Sequence, residues 1–181
     1  MVFVYVGTHA YYHGLDTLIR AAQLLQDHKD LAFLMIGNGP ERSRIIQLAE
    51  ELRLSNVVFG QSPYEEMDRL YSISYASIAT LRNLDVANQM RLSKVFPSLS
   101  CGVPVIYAGL GEAADVIRDN RCGVTVDPEN PEKLAAAIEQ LASDRVGRDG
   151  MGRAGRELVE ADYSWKVIVK RWIQELGREP H

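Results

Sequence analysis

Along this chain short unbroken apolar runs alternate with stretches in which apolar residues recur at three- and four-residue spacing. The runs are Val2–Val6, Leu31–Ile36, Val57–Phe59, Tyr75–Leu81, Val103–Tyr107 and Gly123–Val126. Each is short, rich in β-branched and aromatic residues and bounded by turn residues, which is how a strand buried on both faces reads. Between them, Leu15, Leu18, Ile19, Ala22 and Leu25 define one helical stripe, and Ile45, Leu48, Ala49 and Leu52 another. Met67, Leu70 and Tyr71 supply the inward face of a third helix, Glu112–Arg118 a further one and Pro131–Leu141 the next. Strand and helix in strict alternation predict an α/β fold built on a doubly wound parallel sheet of about six strands. The last stretch loses the strand signal. Trp165, Ile168, Val169, Trp172 and Leu176 share one stripe, predicting a helical C-terminal tail over residues 163–177.

After a stretch that reads as a polar loop, Arg82–Met90, the stretch Arg91–Glu112 joins a polar segment, a helix start and a buried strand. Ser93 is placed to cap a helix running from Lys94 to Gly102, with Gly102 suited to the residue just past its end. Pro97 costs an interior helix a hydrogen bond, so it belongs to the first turn, leaving the amides of Leu92–Lys94 as an anion-attracting helix start. Gly109–Glu112 is the turn leaving the carboxyl end of the next strand, the side on which ligands bind in open α/β sheets. Lys94 reads either as a solvated helix charge or as a phosphate ligand, and Glu112 as a favourable first-turn charge. Gly37-Asn38-Gly39-Pro40 follows a strand and opens a helix, a pattern that serves a bound ligand or a tight turn equally. Ser62-Pro-Tyr-Glu65 has the residue types of a capping box with proline at the first helical position.

Composition narrows the function classes. A length of 181 residues with 46% hydrophobic and 24% charged content fits a single domain over 1–181. A net charge of −4 supplies no general attraction for nucleic acid, so any phosphate site is local. Cys101 and Cys122 are too few for a disulfide framework and read as buried thiols of a reducing compartment. No run approaches the roughly 20 apolar residues of a membrane span. Met1–Val6 reads at once as a strand rather than as a signal peptide, an opening expected of a segment cut from a longer chain. Gly150-Met-Gly-Arg-Ala-Gly155 matches GxGxxG, but helix precedes and follows it, and a dinucleotide site needs a preceding strand. His9 and His13 lack a nearby third ligand, so they read as neutral loop histidines that reach a ligand rather than as a metal pair, and no metal or cofactor is expected.

Taken in order, Tyr5-Val-Gly-Thr-His9, His13-Gly-Leu-Asp-Thr-Leu18, Ile36-Gly-Asn-Gly-Pro-Glu41, Leu92-Ser-Lys-Val-Phe96, Cys101-Gly-Val-Pro-Val-Ile106, Gly111-Glu-Ala-Ala114 and Gly152-Arg-Ala-Gly-Arg156 resemble the C-terminal domain of GT-B glycosyltransferases of family 4. The resemblance implies a Rossmann-like half that binds a nucleoside diphosphate sugar, a UDP-sugar, with an N-terminal acceptor domain absent. It implies a retaining transferase of polysaccharide biosynthesis that moves the sugar to a glycan or lipid-linked acceptor, cytoplasmic or peripheral at the inner membrane face, with the isolated segment inactive. It sets the diphosphate against Gly7, Thr8, His13, Arg91, Leu92, Ser93 and Lys94, with Lys94 the one candidate for a catalytic contribution. The base and ribose would lie near Gly37, Asn38, Gly39, Gln61 and Pro97, and the sugar near Gln89 and Glu112. The chain departs from the family in two places. The Glu-x7-Glu pair is matched by Gln89 and Pro97, and the Arg and Lys of the first loop by Thr8 and His13. Loss of the ribose carboxylate defines the alternative, a degenerate regulatory module that binds nucleotide without catalysis; a sugar-nucleotide epimerase would need a carboxylate and histidine constellation that is not found. The tail helix would cross towards the absent domain, and its apolar stripe predicts self-association or fraying without it.

Overall fold

The computed structural model describes residues 1–89 and 93–176. Six parallel strands, β1 (Val2–Val6), β2 (Ala32–Ile36), β3 (Val57–Gly60), β4 (Ala76–Thr80), β5 (Val105–Ala108) and β6 (Gly123–Val126), form one sheet in the order β3-β2-β1-β4-β5-β6. The direction of winding reverses between β1 and β4, where Phe3 pairs with Ala76 and Val4 with Ser77. The crevice at the carboxyl end of such a reversal is where this topology holds ligands.

The helices are α1 (Leu15–Leu24), α2 (Arg42–Glu51), α3 (Met67–Ser72), α4 (Asp85–Asn88), α5 (Val95–Ser100), α6 (Glu112–Asp119), α7 (Pro131–Ser143), α8 (Arg145–Leu158) and α9 (Trp165–Leu176). Leu15, Leu18, Ile19, Ile45, Leu134, Ile138 and Leu141 of α1, α2 and α7 cover one face of the sheet against Phe3, Tyr5, Phe33 and Ile78. Val95, Leu99, Ala114 and Ile117 of α5 and α6 cover the other against Ala79, Val105 and Tyr107. Each buried Val, Leu, Ile or Phe side chain among these contributes about 1.5–3 kcal/mol, so the apolar runs and stripes read in the sequence are the principal source of stability.

Four sequence expectations change. Ser93 does not cap α5 with its side chain: Lys94 at the N-cap is already helical (φ −64°, ψ −15°), and the Ser93 carbonyl accepts from the Phe96 amide instead. Ser62 forms no capping box, because Pro63 is extended (ψ 154°) and stands before a 3₁₀ turn, Tyr64–Glu66, that leads into α3. The segment Arg82–Met90, expected as loop, contains α4. Cys101 is exposed, while Cys122 is buried. Helix α5 ends as expected: the Gly102 amide donates to Leu99 O and the Val103 amide to Ser98 O, with Gly102 at φ +71°. That return bond, with Pro104 lacking an N–H, is why β5 begins at Val105 and not at Val103.

The GxGxxG segment lies inside α8. A Cβ on Gly152 would fall 2.2 Å from Gly102 O, and one on Gly155 2.5 Å from Leu99 Cδ2, so these glycines let α8 pack on α5. Past α8 the chain makes a wide helical turn, Val159–Tyr163, whose Tyr163 ring stacks on Phe96 at 4.2 Å. Among the described residues no helix is long and apolar enough to cross a membrane.

Candidate functional site

On one side of the reversal β1, β2 and β3 end together, and the loops that follow β1 and β2 interlock. The Gly7 amide donates to Ile36 O at 2.9 Å and the Gly37 amide to Gly60 O at 3.0 Å, continuing the ladder one step past the strands. The His9 amide donates to Asn38 O at 2.8 Å, and His9 O accepts from the Glu41 amide at 2.9 Å. The first loop is therefore threaded into the second. Gly37 and Gly39 have φ of +144° and +152°, and a Cβ would lie 1.9 Å from Gly7 O at Gly37 and 2.5 Å from His9 O at Gly39. Of the two readings left open for Gly37-Asn38-Gly39-Pro40, the tight-turn role is thus established. The Asn38 side chain serves the turn too, accepting from the Gly39 amide at 2.8 Å.

His13 closes a 3₁₀ turn, Tyr11–His13, whose carbonyl accepts a hydrogen bond from the Thr80 hydroxyl at the end of β4. Arg82, just beyond β4, stitches the same turn to its surroundings: its guanidinium donates to Tyr11 O at 2.9 Å, Asp16 at 2.7 Å and Glu129 at 2.9 Å. With its backbone held from both sides, His13 presents its ring to Lys94.

Lys94 is the centre of the site. Its Nζ lies 2.9 Å from the Tyr5 hydroxyl, 3.1 and 3.3 Å from the two ring nitrogens of His13, and 4.6 Å above the Tyr5 ring. Gly7 leaves room for it, since a Cβ there would sit 2.9 Å from Nζ. The Tyr5 hydroxyl donates to Thr8 O at 2.7 Å. Burial draws the Lys94 ammonium down to about 7. Burial, followed by the Lys94 charge, draws His13 down to about 3. His9 is lowered by burial, then by Arg42 and Lys94, and the Tyr5 phenol is raised, chiefly by burial. His9 is wholly buried, and neither of its ring nitrogens meets a hydrogen-bond partner among the described residues; the same holds for Arg42 Nε. Such unmet polar atoms cost about 1–3 kcal/mol each.

Gly7, Thr8, His13 and Lys94 are thus brought together, Thr8 through its carbonyl. Ser93 is exposed beside Lys94. Gln61, Pro97, Gln89 and Glu112 are exposed, following β3, in the first turn of α5, at the end of α4 and at the first residue of α6. Arg91 and Leu92 lie outside the described residues. Sequence reasoning missed Tyr5, Thr80 and Arg42 as site-forming residues. Tyr5 left one signal, a polar tip in the otherwise apolar Val2–Val6 run, one residue from its carboxyl end. Among the described residues no three His, Cys, Asp or Glu side chains gather as metal ligands, and His9 and His13 both face Tyr5. An enclosed ammonium bonded to a hydroxyl and an imidazole is a ready partner for an anion entering the crevice.

Comparison with known proteins identifies the fold and the family. The GDP-mannose-dependent monoacylated alpha-(1-6)-phosphatidylinositol monomannoside mannosyltransferase of Corynebacterium glutamicum is 31% identical over 173 residues, covering 92% of this chain and 44% of that protein. Sucrose-phosphate synthase from Thermosynechococcus elongatus superposes with a TM-score of 0.84 at 25% identity, over 97% of this chain and 44% of the other. The C-terminal domain of a group 1 family glycosyl transferase (LpcC) from Francisella tularensis superposes at 0.77 and 18% identity, over 91% of this chain and 86% of that one, a likeness of fold. The chain spans less than half the length of the Corynebacterium relative. Residues 1–158 match the family described as Glycosyl transferases group 1, and the chain belongs to that family.

Proposed function

We propose that this chain is the donor-binding half of a retaining glycosyltransferase that takes a sugar from a nucleoside diphosphate, the acceptor half being a separate domain preceding it. One observation carries the reading: Lys94 holds an ammonium at the carboxyl end of the β1–β4 reversal, against Gly7 and with neutral partners among the described residues. A fixed cation there meets the diphosphate and stabilises the charge that develops on it as the sugar leaves. Gly37–Gly39 and Gln61 border the base, Gln89 and Glu112 the sugar, and Arg91, Leu92 and Ser93 the phosphates. The name of the Corynebacterium relative makes GDP-mannose the first donor to test, with UDP-sugars as the comparison.

A non-catalytic nucleotide-binding module is the second reading, favoured by Pro97, which offers no acceptor to the ribose from its exposed position in α5. Calorimetry separates the two. Lys94→Ala is expected to weaken GDP or UDP by about 10- to 100-fold while leaving the bare nucleoside unchanged, since a charge-assisted hydrogen bond is worth about 1.5–3 kcal/mol. Equal losses for nucleotide and nucleoside would remove Lys94 from the phosphate site. Pro97→Glu is expected to tighten binding about tenfold if that position faces the ribose.

A further inference from the structure

The groups around the Lys94 ammonium can accept it but cannot pay for its charge. From β1, the Tyr5 hydroxyl has already committed its proton to Thr8 O, so it offers Nζ a lone pair and no charge. From the loop after β1, His13 presents a neutral ring to Nζ, and His9 packs against Tyr5 with its own nitrogens unpartnered. From α2, Arg42 adds positive charge that reaches His9. Among the described residues, the groups in hydrogen-bond contact with Nζ are Tyr5 and His13, and neither is a carboxylate. A lysine so enclosed holds its proton weakly, and burial brings it to about 7. The diphosphate of a sugar nucleotide is esterified at both ends, so it stays anionic and does not titrate near neutrality. Bringing it to Nζ restores the charged form.

We infer that donor binding at this site takes up a proton, which Lys94 captures as it meets the diphosphate. The inference rests on the donor-site reading above. Its sign follows from linkage. Well below about pH 7 the lysine is charged with and without ligand, and no proton moves. Above that point the empty site is neutral and the filled site charged, so affinity falls as pH rises, by up to about tenfold per pH unit. Tight donor binding would then depend on local pH without any change in fold.

The test is calorimetry of this chain with GDP-mannose and UDP-glucose, each in paired buffers of low and high ionisation enthalpy. At about pH 8 the heats are expected to differ by the equivalent of most of one proton, and at about pH 6 to coincide. Lys94→Arg, whose guanidinium stays charged, is expected to bind with buffer-independent heat. An unchanged proton uptake in Lys94→Arg would put the proton elsewhere and overturn the inference. Should that variant not bind, the Cε resonance of Lys94 in the empty wild-type protein decides: a midpoint near 7 supports the inference, and one near the ordinary 10.5 overturns it. Wild-type binding with buffer-independent heat at about pH 8 removes this inference alone. No binding of either donor at any pH removes the donor-site reading and the inference with it.

Discussion

At the carboxyl end of β1 and β2, His9 and Arg42 Nε are buried without partners among the described residues, whereas on α9 Trp165, Trp172, Ile173 and Leu176 are apolar and 65–84% exposed. The two regions depart from the ordinary distribution of polar and apolar groups in opposite senses. The loops after β1 and β2 are fixed by backbone bonds and by contacts that allow no side chain, so the unmet polar atoms are held in place at a cost. The helix α9 has no buried residue at all and is joined to the body mainly through the turn before it and the Arg171–Asp162 ion pair. One region encloses unmet polar atoms between loops locked by backbone bonds; the other exposes apolar side chains along a helix that buries none.

The sharpest way to break the comparison is Gly37→Ala. Its Cβ would lie 1.9 Å from Gly7 O, so the loops must part, and a loss of about 3 kcal/mol or more is expected, seen as a melting temperature lower by about 10 °C. A shift of about a degree or less would show that the loops are not locked together. Acid provides the next test. His13 is held neutral in the folded state at a pKa of about 3, against an ordinary 6.5, so the unfolded chain binds more protons between those values. Stability is therefore full above about 6.5 and falls as pH drops towards about 3; His13→Phe should flatten that slope in a series of thermal melts. For α9, amides of Trp165–Leu176 should exchange with solvent at least about tenfold faster than those of Val105–Ala108, with light scattering reporting self-association through the same face. Equal protection in a monodisperse monomer would erase the contrast. The smallest effect is Gly150→Ala, where nothing lies within 4 Å of the new Cβ and helix propensity alone should add about 0.5–1 kcal/mol.

The sheet was legible because strands buried on both faces leave unbroken apolar runs, and all six were located from theirs with ends off by a residue or two. The errors share a cause. Ser62 and Ser93 have the right side chain for capping, but capping depends on local backbone geometry: Pro63 is extended where a first helical residue is needed, and at α5 the Phe96 amide is taken by the Ser93 carbonyl rather than its hydroxyl. Lys94 and His13 could be nominated from local context and resemblance. Tyr5 could not, because its bond to Lys94 spans 89 positions of chain and exists only once β1 lies beside β4. The contact that gives GxGxxG its role here, Gly152 on Gly102, is equally invisible to a motif read one segment at a time.

That contact also sets how closely α8 can approach α5. Where Gly152 meets Gly102, main chain rests on main chain, and Leu99 lies directly against Gly155. No side chain stands between the backbones at Gly152, whereas the Leu99 side chain fills the space at Gly155 and the stacked rings of Phe96 and Tyr163 brace the opposite end of α5. Since Lys94 stands at the head of α5, the close approach of α8 at Gly152 also fixes the distance at which the helix carrying the ammonium is held, with no side chain there to vary the spacing.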